Sequence, residues 1–310
     1  MQEPLESYCH VGIVHPMAFP DTAGGEGPIL ETLKQVAFDP FFSAVEVTSM
    51  KDPAVRREAA DLLAAAGLDV VFLGAGALLR EGLSLCHLDP AQRQRAVDFC
   101  KGLVDEAYEL GASILGLYSG ADPGEPDRPA AAEALVASLK ELCADAQQKA
   151  GERMLALSLE SFDRTFDRRA LIGPTPEAAR IAEAVYAECS NFGLTIDLSH
   201  QPLLRESVHE MVLAAVDRLI HVHIGNAYLA DPAHPAYGDR HPRFSLPGSA
   251  IGVEELKRFL EALIYGGYFK HSAPTTMPVV SFEVQPLPGE SPELVIANAK
   301  RTLIQAWARL

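Results

Sequence analysis

Four side chains able to bind a metal stand near the ends of four consecutive apolar segments in the second half of the chain: Glu160, Asp197, His223 and Glu283. In LALSLE (155–160) the leucines take alternate positions and leave Ala156, Ser158 and Glu160 on the other face. GLTIDL (193–198), LIHVHIG (219–225) and PVVSFEVQ (278–285) repeat the alternation. They set Asp197, then His221 with His223, then Glu283 opposite their apolar residues. Successive residues of a strand point to opposite faces, so the four share the inner face of a curved sheet. Three carboxylates converging there repel one another and need a cation to stay ionised together. Three oxygens and one imidazole suit a divalent ion, Mn²⁺ first, with Mg²⁺, Co²⁺ or Zn²⁺ as alternatives. Such an ion stabilises charge developing on a carbonyl oxygen, while a carboxylate nearby removes the adjacent proton.

Other residues lie where they would serve this centre. His200 follows Asp197 by three residues and reaches metal or substrate, which makes it a further candidate base. Glu46, inward in SAVEVT (43–48), and His221, one step deeper than His223, are read as groups supporting the ligands. His15, ending the first apolar run, and Tyr118, ending the fourth, are candidate substrate contacts. The longest irregular segment, 226–250, reads as a lid that brings Asp239, Arg240 and His241 to the substrate.

The elements that must position these residues alternate in type. Strand-like runs occupy 9–15, 43–48, 69–74, 112–118, 153–160, 193–198, 219–225 and 278–285. Helical segments lie near 29–38, 53–66, 90–110, 129–150, 175–190, 206–217 and 253–265, with 291–309 last. Asp89-Pro90, Thr175-Pro176 and Ser291-Pro292 read as a capping residue before a first-turn proline. Gly67, Gly111 and Gly151 stand where a left-handed helix end is wanted. Eight strand–helix pairs without a break in composition read as one (β/α)₈ barrel over residues 1–310. A doubly wound nucleotide-binding sheet is disfavoured, because GAGALL (74–79) fails the spacing of the glycine fingerprint. In a barrel the inward residues at strand C-termini form the active site, which is where the four ligands fall.

The order Glu, Asp-x-x-His, His-x-His, Glu resembles the xylose-isomerase-like barrel superfamily. LESFDR (159–164), IDLSH (196–200), HVHIGN (221–226) and SFEVQP (281–286) carry the resemblance, and 89–113 extends it. The superfamily holds sugar isomerases and epimerases, inosose-processing enzymes and apurinic endonucleases. The resemblance implies that Glu160, Asp197, His223 and Glu283 are ligands and that the two glutamates exchange a substrate proton. It also implies a small sugar or keto-sugar substrate and a dimer or tetramer. Asp239-Arg240-His241 is similar to the Asp-x-His pair of the endonuclease branch. That branch also needs histidines at the ends of strands 3 and 4, where this chain reads FLGAG (72–76) and LYSGA (117–121). Sugar 3-epimerases carry an arginine shortly after the strand 7 histidine, where Leu229 lies here; Arg164, Arg240 or Arg243 is expected to substitute.

Charge and composition agree with a sugar enzyme. With 26 basic and 42 acidic residues the net charge is −16, which disfavours a partner held through its phosphates, such as nucleic acid. No run of about 18 apolar residues occurs and the N-terminal stretch is acidic, so neither a membrane span nor a signal peptide is expected. Five scattered cysteines without a CxxC read as reduced thiols in a cytoplasmic protein. The expected reaction is isomerisation or epimerisation through an enediolate. A lyase or dehydratase acting on an oxidised sugar or inosose is the alternative, and a sugar-binding barrel without turnover is a lesser one.

Overall fold

A computed structural model describes residues 3–310. Its strands follow the apolar runs: β1 (His10–Ile13), β2 (Ala44–Val47), β3 (Asp69–Leu73), β4 (Ile114–Leu117), β5 (Ala156–Glu160), β6 (Phe192–Asp197), β7 (Leu219–Gly225) and β8 (Val279–Glu283). All pair in parallel, each with its sequence neighbour from β2 to β8, and β8 returns to pair with β1. Between β1 and β2 the barrel closes through the bridge of Val14 with Glu46 and the Ser43 amide, which donates to the Val11 carbonyl at 2.9 Å. Every residue of β2, β3, β5, β6 and β8 is buried, as strands lined by side chains inside and covered by helices outside must be.

The helices complete the barrel. After β1 come α1 (His15–Ala18) and α2 (Ile29–Ala37), after β2 α3 (Pro53–Ala66), and after β3 α4 (Ala75–Glu81) and α5 (Pro90–Glu109). Then β4 leads to α6 (Arg128–Lys149) and β5 to α7 (Thr175–Tyr186). Next, β6 leads to α8 (Gln201–Leu204) and α9 (Val208–Ala215), β7 to α10 (Val253–Gly266) and β8 to α11 (Pro292–Trp307). Local chemistry sets their ends. Asp89 accepts from the Ala91 amide at 2.8 Å before Pro90, and Gly67 ends α3 at φ 69°, a conformation that costs other residues a clash.

Some boundaries differ from the sequence reading, for physical reasons. β1 stops at Ile13 because Pro16 starts a helical turn, so His15 opens α1 and does not end a strand. Thr175 does not cap α7; its hydroxyl donates to Glu206 Oε2 at 2.6 Å. GAGALL forms the start of α4. All five cysteines are buried and free. Among the described residues no helix is long and apolar enough to cross a membrane.

Candidate metal centre

Strand register determines which ligands meet. Cα partners are Glu160 with Thr195, Asp197 with His223, and Gly225 with Glu283, so the inward residues climb across the sheet. Tilted barrel strands require such a stagger. Although Asp197 and His223 are level, the four expected ligands do not form one group. Glu160, His223 and Glu283 bring one ligand atom each within 4.8 Å of one another. Asp197 instead joins His200 and His241 in a second group of the same dimensions. The groups touch where His241 Nε2 lies 3.7 Å from Glu283 Oε1.

In the first group, His223 Nδ1 is 2.8 Å from Glu283 Oε2 and 3.6 Å from Glu160 Oε1. These three atoms are buried, yet none has a hydrogen-bond partner. Unpaired buried polar atoms are costly, and three aimed at one point fit a cation that would satisfy them all. On the far side of the His223 ring, Nε2 faces Glu46, as His221 Nε2 does. In the second group, His200 donates Nδ1–H to the Ser161 carbonyl at 2.9 Å. Its Nε2 then faces Asp239 Oδ1 at 3.1 Å and Asp197 Oδ2 at 3.6 Å. His241 Nε2 is 2.9 Å from the same Asp239 oxygen. Asp197 also accepts from the amide and hydroxyl of Ser199.

Five buried carboxylates (Glu46, Glu160, Asp197, Asp239, Glu283) thus meet four buried imidazoles (His200, His221, His223, His241). Burial raises Glu160 above the ordinary carboxylate range. It acts on Glu283 in the same direction, but His241 and His223 outweigh it and bring that carboxyl down to about 2. Burial opposes charge on His241 too, yet Glu283 and Asp239 lift it to about 9. Against the same burial, Asp239 and Asp197 hold His200 well above its ordinary value, and Glu46 and Glu283 do so for His223. In the absence of a cation, protons on the imidazoles supply the positive charge the carboxylates require.

The surrounding loops place the remaining candidate residues. Asp239 and His241, from the 226–250 segment, do reach the site, whereas Arg240 between them is exposed to solvent. His241 itself adopts φ 47°, uncommon for a residue with a side chain. Arg164 turns to Glu177 and the Leu171 carbonyl, and Arg243 to Glu290 at 2.9 Å; both are spent on neighbouring loops. His15 bonds the Thr32 hydroxyl on α2 at 2.8 Å and packs on Phe19, as a core histidine does. Tyr118 packs edge-on against Phe162, whose other contact is the His200 ring at 4.8 Å, so it supports the wall.

The arginine at the centre is Arg168, which carries no motif in the sequence. Its Nε donates to Asp239 Oδ2 at 2.6 Å. The loop after β5 fastens that of β7 further. Asp167 accepts from the Asp239 amide at 3.0 Å, and Phe166 packs on Tyr237. Gly238 makes the approach possible: at φ 92°, an added Cβ would stand 2.6 Å from Asp167 Oδ2.

Residues 37–279 match the family model of the xylose isomerase-like TIM barrel. The chain belongs to this family. No curated protein matches it in sequence. Solved xylose isomerase-like structures share its fold over nearly the whole chain. A D-tagatose 3-epimerase-like protein superposes with TM-score 0.70 at 17% identity, covering 97% of this chain and 99% of that one. The D-psicose 3-epimerase of Clostridium cellulolyticum H10 gives 0.66 at 18%, covering 96% and 97%. The IolI protein, solved with a zinc atom, gives 0.71 at 14%, covering 97% and 98%. The ends of β3 and β4 carry Leu73-Gly74 and Tyr118-Ser119.

Proposed function

We propose that this chain is a divalent-metal-dependent sugar isomerase or epimerase that moves a proton on the carbon beside a carbonyl. The observation that carries the reading is the convergence of unpaired, buried atoms of Glu160, His223 and Glu283 at the C-terminal ends of β5, β7 and β8. These residues, with Asp197 beside them, would hold the ion, Mn²⁺ in our reading. When bound, the ion acts as a Lewis acid that stabilises negative charge on the substrate carbonyl oxygen. Glu160 and Glu283 reach the centre from strands on either side of β7. One carboxylate that takes a proton while the other gives one to the opposite face inverts the carbon, which is epimerisation. One carboxylate that returns the proton to the neighbouring carbon converts aldose and ketose. Asp239 and His241 cover the site and exclude water from the enediolate. Two of the solved proteins sharing the fold are named as an epimerase and an epimerase-like protein.

The test is incubation of the Mn²⁺-loaded protein with ketoses, 3-keto-sugars and inososes in D₂O. Deuterium at a carbon next to the carbonyl is expected. Loss of a substituent from that carbon's neighbour would make the enzyme a lyase. Absence of both with every substrate, metal being bound, would overturn the reading.

A further inference from the structure

Glu46 lies on β2, far from the other acidic residues in sequence, and its side chain crosses the barrel interior to β7. Both its oxygens are 3.0 Å from His223 Nε2, and Oε1 is also 2.8 Å from His221 Nε2. All three side chains are buried. An ionised carboxylate can only accept hydrogen bonds, so each imidazole must present N–H at Nε2. A neutral imidazole carries one N–H hydrogen, so its one free lone pair then lies at Nδ1. For His223 that is the atom facing Glu160 and Glu283.

We propose that Glu46 is a positioning residue, which fixes the His223 tautomer and ring orientation so that Nδ1 is the ligand atom, while His221 donates to a further lone pair of Glu46 Oε1. This rests on the metal reading of the site. Burial pushes the Glu46 carboxyl up, and the charges of His223 and His221, with their hydrogen bonds, bring it well below the usual range. Its backbone is fixed as well, because Glu46 forms the bridge to Val14 that closes the barrel. Glutamine in its place would offer one oxygen and one N–H₂ group. In either orientation of the amide its N–H₂ stands opposite His223 Nε2, donor against donor, which drives that hydrogen to Nδ1.

The test uses the full chain, labelled with ¹⁵N-histidine, stripped of metal and titrated with Zn²⁺ alone. In the wild type, Zn²⁺ is expected to shift the His223 Nδ1 resonance while Nε2 stays protonated. Glu46→Gln should weaken Zn²⁺ binding by about 10–100-fold, the usual effect of losing a ligand's hydrogen-bonded carboxylate. At alkaline pH, the metal-free variant should also show a population with hydrogen on Nδ1. Glu46→Asp, still acceptor-only, should keep the wild-type tautomer even where its shorter reach costs affinity or stability. His221→Gln, whose N–H₂ can replace the lost donor, should leave Zn²⁺ affinity near wild type. Unchanged affinity and tautomer in Glu46→Gln would overturn the proposal, as would Zn²⁺ ligation through Nε2 on Glu46 itself. If wild type binds no metal, the functional reading fails, yet the alkaline spectra still decide whether Glu46 sets the tautomer.

Discussion

Arg168 Nε lies 2.6 Å from Asp239 Oδ2, a contact spanning 71 residues that joins the loop after β5 to the loop after β7. The same carboxylate receives His200 and His241 on its other oxygen. Asp239 is therefore the point where loop closure and the candidate metal centre meet.

Breaking this contact should loosen the loop. Arg168→Met removes the charged hydrogen bond and leaves a buried carboxylate short of a donor, which should cost about 1.5–3 kcal/mol. Urea unfolding would measure it. Gly238→Ala should destabilise by a similar mechanism, since its Cβ meets Asp167 and its φ is 92°. Replacing 226–250 by a short linker should abolish turnover; unchanged activity would sink the role of the loop as a lid.

Metal should report on the two donor groups separately. His223→Ala should strip the ion from the first group, seen by elemental analysis after loading with Mn²⁺. His241→Ala, which removes a donor of the second group only, should leave that ion in place. In wild type, a divalent ion at 100 times its Kd should add about 2.7 kcal/mol of stability, measured as a rise in Tm that EDTA reverses.

The glutamates should be needed for turnover more than for holding metal. Glu160→Gln and Glu283→Gln keep an oxygen donor and remove the base, so kcat should fall by about 10²-fold or more. Metal content should fall much less than with His223→Ala. Near-normal kcat in both variants, with metal bound, would move the base elsewhere, His200 first.

His15 gives a pH dependence independent of the centre. Burial lowers its pKa from 6.5 to about 3. Between these values the unfolded chain binds the extra proton, so His15 makes stability fall as pH drops below 6.5. The slope should approach about 1.4 kcal/mol per pH unit. In His15→Gln, the loss of urea stability between pH 7 and pH 5 should be smaller than in wild type.

Strand parity made much of the site legible in advance. Alternate leucines and valines mark the outward face of β5 to β8, and what remains, Glu160, Asp197, His223 and Glu283, faces the centre. Parity puts Asp197 on the inner face but carries no information on which side chains its carboxylate meets, so its separation from the other three was not readable. His15 was misplaced because one proline turned a strand end into a helix start. Arg168 was missed for a different reason. Loops have no period, and nothing local distinguishes it from Arg164 until Asp239 is folded against it.

The closing of the barrel through one bridge, Val14 with Glu46, and one flanking hydrogen bond has a mechanical consequence. The weakest lateral seam of the wall and the anchor of the His223 ring are one residue. Heat, or a permutation cut between β1 and β2, would slacken that anchor before the rest of the barrel gives way. By mass action, an ion bound to His223 would in turn tighten the seam, so exchange of the Ser43 amide, which donates to the Val11 carbonyl across it, should slow when the site is filled.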